Sequence, residues 1–150
     1  MEIAGSAALV TGAASGLGAA TAAALAARGA SVYGLDLEKA LVGATALDGV
    51  MLMPADVTEE AGLRAALARI DDDGQQLRLA VNCAGIAPTA RIVSRRGPHD
   101  LDLFRAVIGV NLVGTFNVVR LAADAMSELA SESMSQRLDE LPTERSEGVR

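Results

Sequence analysis

The chain of 150 residues has no tryptophan, and aromatic residues make up only 2% of it. A core must therefore be aliphatic, which favours helices packed closely on a sheet over a platform on which nucleic-acid bases stack. Cys83 is the only cysteine, so no intrachain disulfide can form, and a reduced, buried small residue is expected there. One cysteine with one histidine, His99, gives no metal-ligand set. Positive charge is in deficit: the net charge of −6 argues against a nonspecific nucleic-acid or anionic-membrane surface. No run approaches the roughly 18 apolar residues of a membrane span. The segment Met1–Ser6 has neither a basic start nor a long apolar stretch. A soluble, cytoplasmic protein is expected, binding neither nucleic acid nor membrane.

What is present is a hydrophobic content of 51%, ample for one globular domain at this length. The apolar run Ala7–Val10 leads directly into Thr11-Gly12-Ala13-Ala14-Ser15-Gly16-Leu17-Gly18. Glycines at that spacing let a strand turn sharply into a helix and let backbone approach a pyrophosphate at the helix N-terminus. Asp36 follows where a second strand would end, the place from which a carboxylate reaches a ribose. A nicotinamide dinucleotide is thus the leading candidate ligand.

The order of elements agrees. Strands are expected at Ala7–Thr11, Ser31–Asp36, Val50–Met53 and Leu77–Asn82, the last nearly continuous in apolar residues, as in a strand buried on both faces. Helices are expected at Gly16–Arg28, weakly from Glu38 to about Leu47, from a Thr58 cap to about Asp73, and from about Leu101 to Leu129. The stretch Ala87–Asp100 reads as a loop. Alternation at this spacing implies an α/β fold, a Rossmann-like doubly wound parallel sheet. About four strands are present, so the sheet is expected to be incomplete on its C-terminal side. Residues 1–130 form the nucleotide-binding part in this reading. Residues 131–150 form a polar, mobile tail leading to a missing fifth strand, of which Gly148-Val149 resembles the start.

Thr11-Gly12-x-x-x-Gly16-x-Gly18, Asp56-Val57, Asn82-Cys83-Ala84-Gly85 and Asn111 occur in one order, and together they resemble the short-chain dehydrogenase/reductase superfamily from about Ala7 to Met126. The stretches Val81–Ala87 and Val110–Val118 further resemble its type 2 3-hydroxyacyl-CoA dehydrogenase branch.

The resemblance implies NAD as cofactor. Gly12, Ser15, Gly16, Leu17 and Gly18 would shape the phosphate turn. Asp36 would accept the ribose hydroxyls and repel the 2′-phosphate of NADP. Asp56 and Val57 would meet the adenine, although Asp56 also reads as a turn carboxylate ahead of Thr58. Asn82, Ala84 and Gly85 would flank the nicotinamide ribose, with Asn82 tying adjacent strands. Asn111 would mark a helix irregularity serving a proton relay, or else would bond across its own helix. Arg91, Arg95, Arg96 and His99 could meet the phosphates of a CoA thioester, but an exposed solvated loop is the simpler reading. The intact relatives are expected to form homo-oligomers through the long helix.

The family's chemistry also needs a Tyr four residues before a Lys, and a Ser after the fifth strand. Here the only tyrosine is Tyr33, in the second strand, and the only lysine is Lys39. The chain is therefore expected to lack activity alone, as the cofactor-binding part of an NAD-dependent dehydrogenase of secondary alcohols, with a 3-hydroxyacyl-CoA as the leading substrate. A non-catalytic nucleotide-binding or regulatory module is the alternative. A methyltransferase of Rossmann type is disfavoured by the motif combination.

Overall fold

The computed structural model describes residues 2–95 and 97–139, with the side chains of residues 128–139 left aside. Four parallel strands form the sheet: β1 (Ala7–Thr11), β2 (Ser31–Asp36), β3 (Val50–Pro54) and β4 (Leu77–Asn82), in the order β3-β2-β1-β4. Thr11 stands in register with Leu35 on one side and Asn82 on the other.

Side-chain alternation along the strands separates two cores. Ala8, Val10 and Val32 face helix α1 (Gly16–Ala26) with Ala22 and Ala30. Leu9, Tyr33 and Leu35 face the other way, against Leu63, Ala66 and Ile70 of α3 (Glu60–Asp72) and Val118, Leu121 and Ala122 of the long C-terminal helix. The result is a sheet between two helical layers. The spacing of Leu63, Ala66 and Ile70 puts all three on one face of α3. Burying each large aliphatic side chain there is worth roughly 1.5–3 kcal/mol.

Several boundaries differ from the sequence reading, each for a local reason. Helix α2 is a single turn, Glu38–Leu41, with no buried residue to extend it. Thr58 does not cap α3: Asp56 Oδ1 accepts from both Thr58 N (2.9 Å) and Thr58 Oγ1 (2.7 Å), closing a turn. The cap position falls to Glu59, whose side chain makes no cap bond.

Strand β4 is not buried on both faces. It pairs with β1 alone among the described residues, and only Leu77 in it is buried. The loop before residue 100 contains a short hairpin, β5 (Val93–Ser94) with β6 (Gly97–Pro98). Arg96 lies outside the described residues, as do residues 140–150, where the expected fifth-strand start falls.

The long helix is three pieces: α4 (Leu101–Ile108), a π-helical segment (Gly109–Gly114) and α5 (Thr115–Asp139). Asp100 caps α4 by accepting from Asp102 N at 2.9 Å. The backbone of α5 runs on to Asp139, past the expected end at Leu129, so the polar composition after Ala130 does not stop the helix. Contrary to the reading of short apolar runs, Leu101–Ser127 is long and apolar enough by composition to cross a membrane. One face of that stretch is packed on the sheet through Val118, Leu121 and Ala122, while Leu101, Phe104, Leu112 and Phe116 on it are exposed.

Candidate nucleotide site

A cleft of about 390 Å³ opens at the carboxyl ends of the strands, where ligands bind in doubly wound sheets. Its walls come from the β1–α1 turn, the end of β2, the turn Ala55–Val57, the segment Cys83–Ile86 and Val110.

The β1–α1 turn is built by two glycines that no other residue can replace without movement. Gly12 has φ +69°, and a Cβ there would lie 2.8 Å from Ala84 N and 2.9 Å from the Cys83 carbonyl carbon. Gly18 would place a Cβ 2.0 Å from Gly12 O, so α1 can start against the turn only without a side chain. Ser15 precedes α1 with extended backbone and makes no side-chain cap bond. No acidic residue occupies the first turn of α1, whose Gly16, Leu17 and Gly18 line the cleft, so its positive end has no carboxylate of its own helix beside it. Leu17 is 82% exposed and projects from this turn. This cradle fits the phosphates of a dinucleotide.

Asp36 stands at the end of β2. Its Oδ2 accepts from Ala14 N at 2.9 Å and its Oδ1 from Leu37 N at 2.8 Å. The glycine-rich turn therefore fixes the carboxylate beside the cleft, with lone pairs left for further donors. Among the described residues, no Lys or Arg lines the cleft.

On the opposite wall, Asp56 uses Oδ1 in its turn with Thr58, and Val57 is buried. Cys83 is half-buried rather than buried, because it sits at this mouth. Asn82 does not line the cleft. Its Oδ1 is buried and meets no donor among the described residues, so it does not tie the strands through that atom. Thr11 provides that link: its Oγ1 accepts from Cys83 N (3.2 Å) and Ala84 N (3.1 Å). The signal for Thr11 was its place at the end of β1, in register with Asn82 at the end of β4, from which a hydroxyl reaches the N–H groups that follow the strand.

Gly85 and Ala84 form the wall next to Asn111. A Cβ on Gly85 would come within 3.2 Å of Asn111 Oδ1. Asn111 lies in the π-helical segment, as the resemblance implied for a helix irregularity. It does not bond across its own helix. Its Oδ1 accepts from Ile86 N at 2.9 Å and its Nδ2 donates to Ile86 O at 2.8 Å, clasping the segment after β4. Arg91 and Arg95 are exposed in the hairpin loop, and His99 Nδ1 lies 2.7 Å from Asp100 O. None of the three enters the cleft lining.

Tyr33 is 3% exposed and lies away from the cleft. It donates to Asp73 Oδ2 at 2.8 Å, and Arg69 Nε donates to both Asp73 oxygens at 2.9 and 3.0 Å. Burial, then the Asp73 hydrogen bond, push the Tyr33 hydroxyl up to about 12. Arg69, then Tyr33, hold Asp73 below its ordinary value. Lys39 belongs to α2, so the pair Tyr33 and Lys39 builds no catalytic couple.

Comparison with known proteins agrees with this geometry. The short chain dehydrogenase family model matches residues 6–133. The chain is 43% identical over 134 residues to a 3-hydroxyacyl-CoA dehydrogenase type-2 of Drosophila melanogaster, covering 86% of this chain and 52% of the relative. To the Homo sapiens protein of that name it is 41% identical over 141 residues, covering 91% and 54%. Among solved structures, a short-chain type dehydrogenase/reductase from Mycobacterium ulcerans superposes with TM-score 0.72 at 30% identity, covering 84% of this chain and 48% of that one. The ligand-free aldohexose dehydrogenase of Thermoplasma acidophilum gives 0.69 at 27%, covering 83% and 45%. The chain spans about half the length of the curated relatives it matches.

Proposed function

Because the chain belongs to the short-chain dehydrogenase family, we propose that it forms the NAD(H)-binding part of a cytoplasmic oxidoreductase acting on a secondary alcohol or ketone, with a 3-hydroxyacyl-CoA as substrate. The substrate class rests on the similarity to type-2 3-hydroxyacyl-CoA dehydrogenases over most of this chain. When bound, the nicotinamide would supply hydride transfer. The residues here bind and orient: Gly12, Ser15, Gly16, Leu17 and Gly18 take the phosphates, and Asp56 and Val57 take the adenine. Ala84 and Gly85 line the ribose side, next to Asn82 at the end of β4, and Thr11 Oγ1 holds Ala84 N from behind. Asn111 holds Ile86 against the cleft and stands in the π-helical segment from which a proton relay would run. The proton-transferring groups lie outside these 150 residues in this reading, since Tyr33 is committed to Asp73. Homo-oligomer formation through the outer face of α4 and α5 belongs to the same proposal.

One observation carries the choice of NAD over NADP: the Asp36 carboxylate is fixed by Ala14 N and Leu37 N at the cleft, with no cation among the described residues lining it. A 2′-phosphate placed there meets a negative charge. Calorimetric titration of the chain should show NAD binding at least about tenfold tighter than NADP, a difference of about 1.4 kcal/mol. Asp36→Ala combined with Leu37→Arg should narrow or reverse it. The chain alone should not oxidise 3-hydroxybutyryl-CoA with NAD above blank. Equal affinity for both nucleotides overturns the cofactor choice, and turnover overturns the reading of the missing groups.

A further inference from the structure

The turn Ala55–Val57 is held from outside the cleft. Ala55 N donates to Asp36 O at 2.8 Å. On one side Gly62 of α3 comes so close that a Cβ there would lie 2.9 Å from Ala55 Cα. On the other, a Cβ on Gly114 of the π-helical segment would lie 2.5 Å from Val57 Cγ2. Between these contacts lies Asn117, the first-turn residue of α5, 6% exposed. Its Nδ2 donates to Val57 O at 2.9 Å. Its Oδ1 accepts from Arg120 at 2.6 Å. Arg120 also pairs with Glu60, which pairs with Arg64 at 2.8 Å.

We propose that Asn117 is a positioning residue for the adenosine end of the nucleotide, orienting the Asp56–Val57 backbone from behind through the Val57 carbonyl. The inference rests on the dinucleotide reading above and extends it to a residue outside the cleft wall. The chemistry is specific. The amide donates to Val57 O through its nitrogen and accepts from Arg120 through its oxygen at once, and the bond to Val57 O is buried. Arg120 fixes which amide end faces Val57, because a guanidinium can only donate. The Glu60 and Arg64 pairings hold Arg120 in turn, so α3 and α5 converge on one backbone carbonyl. Asp56 Oδ1 is committed to Thr58, and Oδ2 meets no donor among the described residues. Any shift of the turn therefore moves the one oxygen left to accept from an adenine amino group.

Titration of the full chain with NAD, ADP-ribose and nicotinamide hypoxanthine dinucleotide tests this. The hypoxanthine ring replaces the amino donor of adenine by a carbonyl. Wild type should prefer NAD to the hypoxanthine analogue. Asn117→Leu, similar in branching but without hydrogen bonds, should weaken ADP-ribose binding about five- to tenfold and bring the adenine-to-hypoxanthine ratio close to one. A residue that serves stability alone would lower the melting temperature and leave the ratio intact. Should Asn117→Leu fail to fold, Arg120→Leu, at a partly exposed position, decides: a smaller drop in the same ratio is expected. An unchanged ratio in a folded Asn117→Leu, or in Arg120→Leu when the first does not fold, overturns the positioning role while leaving the dinucleotide reading standing. A wild-type chain that binds neither NAD nor ADP-ribose overturns both.

Discussion

Gly18 illustrates how little freedom single positions have here. A methyl group at that residue would sit 2.0 Å from Gly12 O, a contact that only backbone movement can relieve. Gly18→Ala should therefore destabilise the chain by roughly 1–3 kcal/mol or more, and nucleotide affinity should fall with it, measurable by urea titration and calorimetry. Tyr33 behaves differently, since its hydroxyl is a bonding group in the α3 core. Its ionisation is pushed up to about 12, so its contribution to stability is fully present below pH 10 and is lost as pH rises towards 12. Tyr33→Phe should cost about 1 kcal/mol at neutral pH. Its melting curve should meet that of wild type as the pH approaches 12. Asp73 has the opposite sign. Its lowered pKa makes its contribution present above the ordinary carboxylate range and lost as pH falls below it.

Among the elements, the π-helical segment Gly109–Gly114 is the most consequential. A π-helical turn has an extra residue per hydrogen-bonded ring, so it displaces side chains from regular helical spacing and frequently marks functional sites. Here it carries Asn111 to Ile86 and brings Gly114 against Val57, so one irregular stretch contacts two walls of the cleft. Asn111→Ala removes two hydrogen bonds, each worth about 1 kcal/mol. Faster amide exchange at Ile86 is expected, with little change at Thr11–Val81 core positions, and hydrogen-exchange measurement would show it. If Ile86 exchanges as slowly as before, another contact holds the segment.

At the scale of the molecule, two surfaces lack cover among the described residues. Strand β4 pairs on one edge only. Leu101, Phe104, Ile108, Leu112, Phe116 and Val119, spaced three or four residues apart along α4, the π-helical segment and α5, are exposed, including both phenylalanines of the chain. Exposed apolar stripes of this kind mark association sites or aggregation hazards. The chain should self-associate with concentration and bind an apolar dye, by analytical ultracentrifugation and fluorescence. Replacing Phe104 and Phe116 by Lys should shift it towards monomer. A monomer of wild type with a sharp cooperative melt and no dye binding would show that the stripe is tolerated in water.

The sequence by itself determined the strand–helix alternation, the glycine turn and the position of Asp36, because these depend on short-range periodicity and on backbone freedom at single residues. Helix ends were less legible. Thr58 looks like a cap until Asp56 claims it, and Leu47 looks helical although it packs on the core around Ala8 and Val10 from an irregular segment. The tertiary structure alone decided that Thr11, not Asn82, ties β1 to β4, that Asn111 clasps Ile86, and that Asn117 reaches Val57. Each is a hydrogen bond between residues 25 or more positions apart, and one-dimensional pattern carries no record of which distant carbonyl or amide a buried polar side chain will meet.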